Sequence, residues 1–152
     1  MARAYVGLGA NLGDREATLL RAVDLLGDVE GVWVVGVSAL RETDPVGVLD
    51  QPRFLNGAVA VETELTPREL LDALLGVERS LGRVRDGERW GPRTVDLDLL
   101  VFGDVVVDEP GLRVPHPRLH ERRFALEPLS DLDPTLEIPD RGTVSALLSA
   151  LD

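Results

Sequence analysis

The sequence predicts an α+β fold with a mostly antiparallel sheet, because of the order in which strand-like and helix-like segments follow one another. From residue 3 to residue 102 the segments alternate as strand, helix, strand, strand, helix, strand. Apolar or alternating patterns mark the strands, and capping residues with a helical repeat mark the helices. This order is that of the ferredoxin-like split βαβ arrangement. We therefore expect a ferredoxin-like βαββαβ core with an extra C-terminal hairpin and short helices, in a single domain over 1–152.

The first half of the chain predicts three strands and one helix. Residues 3–9 (RAYVGLG) predict the first strand, and Asp14 can cap a helix whose apolar positions recur at helical spacing up to Leu26. Residues 31–42 (GVWVVGVSALRE) are rich in β-branched side chains and predict one long strand. A loop with prolines and glycine then leads to a third, alternating strand over 55–64.

The second half opens with a strong helix-start signal at 66–69 (TPRE), where threonine caps, proline takes the first helical position and glutamate closes a capping box. An apolar stripe follows, and Gly82 ends the helix. Residues 95–102 predict a buried strand. We expect residues 105–107 to pair with it in a hairpin across the intervening Gly-Asp dipeptide. Short helices are expected near 121–131 and 143–151.

Composition excludes several classes of function. The chain has a net charge of −11 at pH 7 and contains neither cysteine nor lysine. A negative field repels polyanions, so we expect no nucleic-acid or membrane partner. Disulfides and thiolate chemistry are excluded without cysteine, and a Walker-type ATPase is excluded without lysine. With no signal-peptide pattern or apolar span, a cytoplasmic, stand-alone chain is expected.

Two aspartates interrupt the most hydrophobic predicted strand. Asp96 and Asp98 are two residues apart, so they point to the same face at a separation of about 6.6 Å along the strand. The odd-numbered residues from Val95 to Val101 would pack under the two helices, while Leu100 and Phe102 would continue the carboxylate face. Such a pair suits a magnesium–nucleotide platform, because Mg²⁺ prefers carboxylate oxygen and keeps sites for substrate phosphates. A solvent-facing pair of charges is the alternative.

An arginine-rich segment directly precedes this strand. The stretch GRVRDGERWGPR (82–93) holds four arginines around Trp90, with three glycines and a proline. Guanidinium groups bind phosphate oxygens in bidentate fashion, and tryptophan offers a face for a flat ring. A phosphate clamp next to a cation site favours polyphosphate chemistry over a solvated basic loop.

Other motifs are weaker. GLGANLG (7–13) spaces its last glycine one residue too far for a dinucleotide fingerprint, and it is interpreted as a strand-to-helix turn. His116 and His120 are four residues apart, but Pro117 disfavours a helix through both, which speaks against a zinc pair. His116, which lies near several arginines, is either a phosphate contact or a structural residue.

The segment RWGPRTVDLDLLVFGD (89–104) closely resembles the signature of the 6-hydroxymethyl-7,8-dihydropterin pyrophosphokinases of folate biosynthesis. The resemblance covers about residues 4–139. It includes YVGLGANLGD, RETDPVGVLDQPRFLNGAVAVET and VPHPRLHERRFALEPLSDLDP. It implies a ferredoxin-like fold and transfer of pyrophosphate from ATP to a reduced pterin, with release of AMP.

The same resemblance implies roles for individual residues. Two Mg²⁺ ions would be bound by Asp96 and Asp98, and Arg83 and Arg93 would stabilise the transferring charge. Further nucleotide-binding residues would be Glu78, Arg85, His116 and Arg122. The pterin-binding residues would be Thr43, Pro45, Phe54, Asn56, Trp90 and Phe124, with the bicycle stacked between the two aromatic side chains of Trp90 and Phe124.

Two other functions remain open on the sequence. The aspartates would equally serve a two-metal nucleotidyl transferase or phosphohydrolase. A ferredoxin-like module that binds nucleotide without turning it over is the third possibility. Formation of AMP only in the presence of the pterin separates these three.

Overall fold

The computed structural model describes residues 1–11, 13–43, 53–82 and 95–152. Four helices and nine strands lie within these ranges, together with a 3₁₀ turn at Leu119–Glu121. The strands are β1 (Ala2–Ala10), β2 (Val32–Val37), β3 (Arg41–Thr43), β4 (Phe54–Thr63), β5 (Val95–Phe102), β6 (Val107–Glu109), β7 (Leu112–Val114), β8 (Glu137–Ile138) and β9 (Gly142–Thr143). The helices are α1 (Arg15–Gly27), α2 (Pro67–Ser80), α3 (Arg123–Leu132) and α4 (Val144–Ala150).

The main sheet confirms the predicted ferredoxin-like topology. Its strands run in the order β2-β4-β1-β5, β3 adds to β4, and every pairing is antiparallel. Helix α1 joins β1 to β2 across β4, and α2 joins β4 to β5 across β1, as the split βαβ arrangement requires. The outcome is that β1 lies between β4 and β5.

The first two helices begin and end where the sequence predicts. The Asp14 carboxylate accepts from the Ala17 amide at 3.1 Å, and Thr66 and Glu69 form the reciprocal capping box. Helix α2 ends before Gly82, whose φ of +87° is one that L side chains rarely adopt. Both helices bury their apolar stripes against one face of the sheet in the larger core cluster.

The predicted long strand over 31–42 is wrong in its continuity, because it is divided into β2 and β3. Ser38 lies between them: its amide donates to the Ala58 carbonyl at 2.9 Å, but the Ala58 amide donates to the serine hydroxyl at 2.8 Å and not to a backbone carbonyl. Leu40 then packs over Gly57, where an added Cβ would come within 2.6 Å of the leucine methyl. A serine side chain and a missing Cβ thus bend the chain between the two strands.

The predicted hairpin between β5 and residues 105–107 is also wrong. The chain turns after β5, where the Val105 amide donates to the Phe102 carbonyl, and β6 pairs instead with β7. Pro110 and Gly111 form the two-residue connection, with a φ of +78° at the glycine. The hairpin closes here because Pro-Gly supplies the positive φ that a tight turn needs.

A β-bulge in β5 alters the predicted division of its side chains. Tyr5 pairs with Val101 and Val6 pairs with Leu99, so Leu100 is an extra residue opposite β1. Val95, Leu97 and Leu99 pack beneath α1 and α2 as predicted, but beyond the bulge the two faces exchange. Phe102 therefore joins the core under the helices, and Val101 joins the opposite one.

The opposite face is covered at one end by the C-terminal helices, as the apolar residues of β5 lead one to expect. Leu126 and Leu129 of α3 are fully buried there together with Leu119 and Val144. This cluster leaves the Asp96–Asp98 end of the face open. Among the described residues, every helix is too short or too polar to cross a membrane.

An ion pair ties α3 to β3 and makes stability depend on pH. Arg41 donates to Asp131 at 2.7 Å, and this bond lowers the pKa of the Asp131 carboxyl. Both side chains are about one-third exposed, so the pair contributes at most about 1 kcal/mol.

Because the folded pKa is lowered, this contribution is present above the ordinary carboxyl pKa of about 3.9 and is lost as the pH falls through the lowered value. We expect Asp131→Asn to reduce the free energy of unfolding in urea at pH 7, and to differ less from the wild type near pH 3. An equal difference at both pH values would contradict this account.

Candidate active site

The two aspartates of β5 stand beside two glycines of β1. In the cross-strand register Asp98 is opposite Gly7 and Asp96 is opposite Gly9. Asp96 is half-buried and Asp98 is exposed. Directly opposite residues of an antiparallel pair lie about 5 Å apart, so each carboxylate borders a position that has no side chain.

Gly7 and Gly9 are strand residues, as the predicted first strand over 3–9 requires, and their motif leads from β1 towards α1. Both lie inside β1, which extends to Ala10. An added Cβ at Gly9 would lie 3.1 Å from Asn56 Oδ1, and one at Gly7 would lie 3.3 Å from a Leu100 methyl. A side chain at either position would make its neighbour shift by a few tenths of an ångström, so glycine fits this surface best.

A row of neighbouring residues runs across the sheet from Asp96 through Gly9 to Asn56. Gly9 is opposite Asp96 on one side and opposite Asn56 of β4 on the other. The Asn56 side chain is buried, and its Nδ2 donates to the Thr43 hydroxyl of β3. Because Nδ2 is engaged in this way, the acceptor atom Oδ1 is held on the Gly9 side.

A cavity of about 680 Å³ lies over this face of the sheet. Its floor is formed by the glycines, Asn56 and the two aspartates, and its opposite wall by the chain from His116 into the first turns of α3. The lining residues on the described chain are Gly7, Leu8, Gly9, Thr43, Phe54, Asn56, Gly57, Asp96, Asp98, Leu100, His116, Arg118, Glu121, Arg122, Arg123, Phe124, Ala125 and Glu127.

His116 is fixed at the wall by two backbone contacts. Its amide donates to the Leu100 carbonyl of β5 at 2.9 Å, and its Nδ1 accepts from the Arg118 amide at 3.3 Å. Burial lowers the pKa of the imidazole; Asp98 opposes this effect, and Arg122 and Arg118 add to it. At neutral pH the ring is therefore mainly neutral, and Nε2 carries the proton that it can donate.

Two further features extend the site. The Arg122 guanidinium lies 5.6 Å from the centre of the Phe124 ring, a cation–π contact that leaves positive charge at the cavity wall. A second cavity of about 360 Å³ shares Asp98 and His116 with the first and is otherwise lined mainly by apolar residues of α2, β5 and the β6–β7 hairpin. The two cavities therefore adjoin at these two residues.

The sequence from residue 5 to residue 134 matches the family model described as 7,8-dihydro-6-hydroxymethylpterin-pyrophosphokinase. The chain belongs to this family. A pyrophosphokinase of Pseudomonas aeruginosa is 47% identical over 148 residues, which cover 97% of this chain and 91% of the relative. Its Bacillus subtilis counterpart is 50% identical over 129 residues, covering 85% and 77%. Both carry the name 2-amino-4-hydroxy-6-hydroxymethyldihydropteridine pyrophosphokinase.

Some pyrophosphokinase domains are part of longer proteins. A folate synthesis bifunctional protein of Arabidopsis thaliana is 44% identical over 140 residues, which cover 92% of this chain and 29% of the relative. The fold matches the Plasmodium falciparum HPPK-DHPS structure with pteroate at a TM-score of 0.78 and 15% identity. That match covers 98% of this chain but only 44% of the solved chain, and it bears on the fold alone.

The structure brings together most of the site residues expected of a pyrophosphokinase that lie in the described ranges. One cavity is lined by Thr43, Phe54, Asn56, Asp96, Asp98, His116, Arg122 and Phe124. Glu78 is the exception, because its buried carboxylate accepts from the Leu97 amide at 2.8 Å and is not part of either cavity lining. Pro45, Arg83, Arg85, Trp90 and Arg93 lie outside the described residues, so their roles and the proposed Trp90 stacking stay predictions.

Sequence reasoning missed the contributions of three residues. Gly7 and Gly9 form the floor of the cavity, and the isolated glycines in a strand pattern were the signal that could have indicated this. Arg118 lines the same cavity and orients His116 through its amide. No local pattern marks that contact, since it depends on how the chain turns after Pro117.

Proposed function

We propose that this chain performs the pyrophosphokinase reaction with two Mg²⁺ ions held by Asp96 and Asp98. The reaction transfers pyrophosphate from ATP to the hydroxymethyl group of 6-hydroxymethyl-7,8-dihydropterin, releases AMP, and belongs to folate biosynthesis. The observation that carries the proposal is the row Asp96–Gly9–Asn56. It joins a carboxylate pair to a buried amide across a strip of backbone with no side chain.

The donor set fits magnesium. Asp96 and Asp98 offer carboxylate oxygens at the border of one cavity, and Mg²⁺ in nucleotide sites takes one or two carboxylates together with substrate phosphates and water. The described residues contain no cluster of three or more potential metal-ligating side chains. In nucleotide sites of this kind the remaining ligands are phosphate oxygens and water. When bound, such ions neutralise phosphate charge and align the attacking and leaving oxygens.

The two cavities divide the substrates between them. The pterin occupies the larger one, where Asn56 Oδ1 accepts from its amide-like edge and the rings of Phe54 and Phe124 offer apolar contact. The nucleotide extends towards the smaller, largely apolar cavity. The polyphosphate lies where the cavities meet, between Asp98 and His116.

In the chemical step, the pterin hydroxyl oxygen attacks the β-phosphorus of ATP, and the bond from that phosphorus to the α,β-bridging oxygen breaks. The hydroxyl proton is released, and AMP carries away the bridging oxygen. His116 Nε2–H and the Arg122 guanidinium donate to phosphate oxygens as charge shifts during transfer. Donors aimed at such charge are worth a factor of about 10² to 10³ in turnover.

The assay for this function measures AMP release from ATP and Mg²⁺ with and without 6-hydroxymethyl-7,8-dihydropterin. AMP that forms only when the pterin is present, with pyrophosphorylated pterin in equal amount, supports the proposal. Release of ADP or phosphate without pterin indicates a phosphohydrolase instead. Nucleotide binding without any product would indicate a binding module.

Gly9→Ala tests the floor of the pterin site. The new Cβ would lie 3.1 Å from Asn56 Oδ1 and 4.0 Å from the Phe54 ring, which is closer to the amide than ordinary contact. We expect the KM for the pterin to rise about tenfold, with little change in ATP affinity, because overpacking disturbs a fitted surface. The matched control is Gly27→Ala, whose Cβ meets Val34 at an ordinary 3.7 Å. An unchanged pterin KM in the Gly9 variant would contradict the proposed floor.

A further inference from the structure

Glu78 is a buried acid near the end of α2, and its contact lies on the strand that carries the aspartates. The side chain is 4% exposed, and its Oε2 accepts from the Leu97 amide at 2.8 Å. Leu97 is the residue between Asp96 and Asp98. Burying a carboxylate is costly unless it is hydrogen-bonded, and the Leu97 amide supplies one such bond.

The position of β5 in the sheet explains the need for such a contact. In the described part of the chain β5 pairs along one side with β1 and is the last strand of the sheet on the other. An edge strand has backbone groups with no neighbouring strand to bind them. On this outer side the Leu97 amide is bound by Glu78, and the Leu100 carbonyl is bound by the His116 amide.

The bonded group is the peptide that joins Asp96 to Leu97. A peptide unit is planar, and its plane includes the Cα atoms of both residues. A hydrogen bond to the Leu97 N–H therefore restrains the Cα atoms of Asp96 and Leu97. Because Asp98 follows Leu97 directly, its backbone position is restrained as well. Helix α2 is anchored in the core by Leu70, Leu74 and Val77. Through Glu78, this anchored helix holds the backbone between the two carboxylates.

We propose that Glu78 is a positioning residue, whose carboxylate holds the Asp96–Leu97 peptide so that both aspartates face the same ligand. The inference rests on the proposed function, and it gives Glu78 a role other than contact with ATP. Removal of a group that orients a metal ligand typically lowers metal affinity or activity by about 10- to 100-fold.

Two substitutions distinguish the effect of the length of the Glu78 side chain from the effect of its charge. Glu78→Gln loses the charge but keeps an oxygen at the same distance along the side chain, whereas Glu78→Asp keeps the charge and is one methylene too short. Positioning through the Leu97 amide predicts that Gln is tolerated and Asp is not. A role as a negative charge towards a ligand predicts the reverse order. Asp72→Asn, an exposed acid on the same helix, is the matched control for loss of charge.

The readouts include two that do not depend on turnover. Hydrogen exchange of the Leu97 amide, followed by NMR, should become at least about tenfold faster in Glu78→Asp, while the Val59 amide in β4 is unchanged. Binding of Mn²⁺ with a non-hydrolysable ATP analogue, followed by EPR, should weaken about tenfold. The same variant should lose about tenfold in kcat with its pterin KM within about twofold of the wild type, and Glu78→Gln should stay within about threefold of it throughout.

The outcomes separate the two proposals. Wild-type protein that binds no Mn²⁺ with the ATP analogue would contradict the proposed function, while the order of Leu97 exchange would still decide the role of Glu78. The inference would be overturned if Glu78→Asp kept the wild-type exchange rate of the Leu97 amide and the wild-type Mn²⁺ affinity. It would also be overturned if Glu78→Asp exchanged this amide more slowly and bound Mn²⁺ more tightly than Glu78→Gln. Should the Asp variant not fold, a tenfold loss of Mn²⁺ affinity in Glu78→Gln would overturn it, and near wild-type binding would support it.

Discussion

Replacing Asp98 by alanine is expected to lower turnover by about a thousandfold or more while the fold survives. Asp98 is exposed at the border of both cavities, so its removal leaves no hole in the core. What is lost is one of two carboxylates that would hold the charge-neutralising ions, and such stabilisation is worth several kcal/mol in the transition state.

The measurement is AMP release at saturating ATP and pterin, together with pterin binding by calorimetry. Pterin affinity should stay close to that of the wild type, because Asn56 and the aromatic rings lie elsewhere in the larger cavity. Asp24→Ala is the control, since that side chain is exposed on α1, which packs against the other face of the sheet. A folded Asp98→Ala protein that turns over within tenfold of the wild type would refute the metal role.

Asn56→Leu is expected to lower kcat/KM for the pterin by about a hundredfold or more. Leucine has nearly the same volume but has no acceptor for the pterin edge, and unpaired polar groups in a buried site cost about 1–3 kcal/mol each. Two such groups would be left here, on the substrate and on the Thr43 hydroxyl that now accepts from Asn56. The KM for ATP should change little.

Two variants at Thr43 test the same contact with Asn56 by smaller changes. Thr43→Ser keeps the hydroxyl acceptor and should behave as the wild type does. Thr43→Val removes it and should raise the pterin KM about tenfold, because Asn56 is then free to turn its amide. If Asn56→Leu lowered ATP and pterin affinity equally, or changed neither, the pterin would not lie over the Asp96–Gly9–Asn56 row.

The local signals in the sequence predicted the parts of the fold that local chemistry decides. The capping residues Asp14 and Thr66 mark the helix starts, and Asp96 and Asp98 mark a polar face on an apolar strand. Those signals act within a few residues of the chain, and the structure confirms them.

What the sequence did not predict depends on contacts between distant segments. The bulge at Leu100 follows from the register between β5 and β1, and it alone decides that Phe102 and Val101 exchange faces. The division of the long strand depends on Ser38 meeting Ala58. The resemblance implies that Glu78 binds the nucleotide, and that role stays a prediction; its contact with Leu97 is visible only once α2 is packed against the edge strand.

The most direct test is a crystal structure with Mg²⁺, a non-hydrolysable ATP analogue and 6-hydroxymethylpterin. We predict Mg²⁺ at about 2.1 Å from carboxylate oxygens of Asp96 and Asp98, bridging to the phosphates, with the pterin ring over Gly9 and its edge at Asn56. Metal bound elsewhere, with both carboxylates directed into solvent and the nucleotide away from them, would contradict the account.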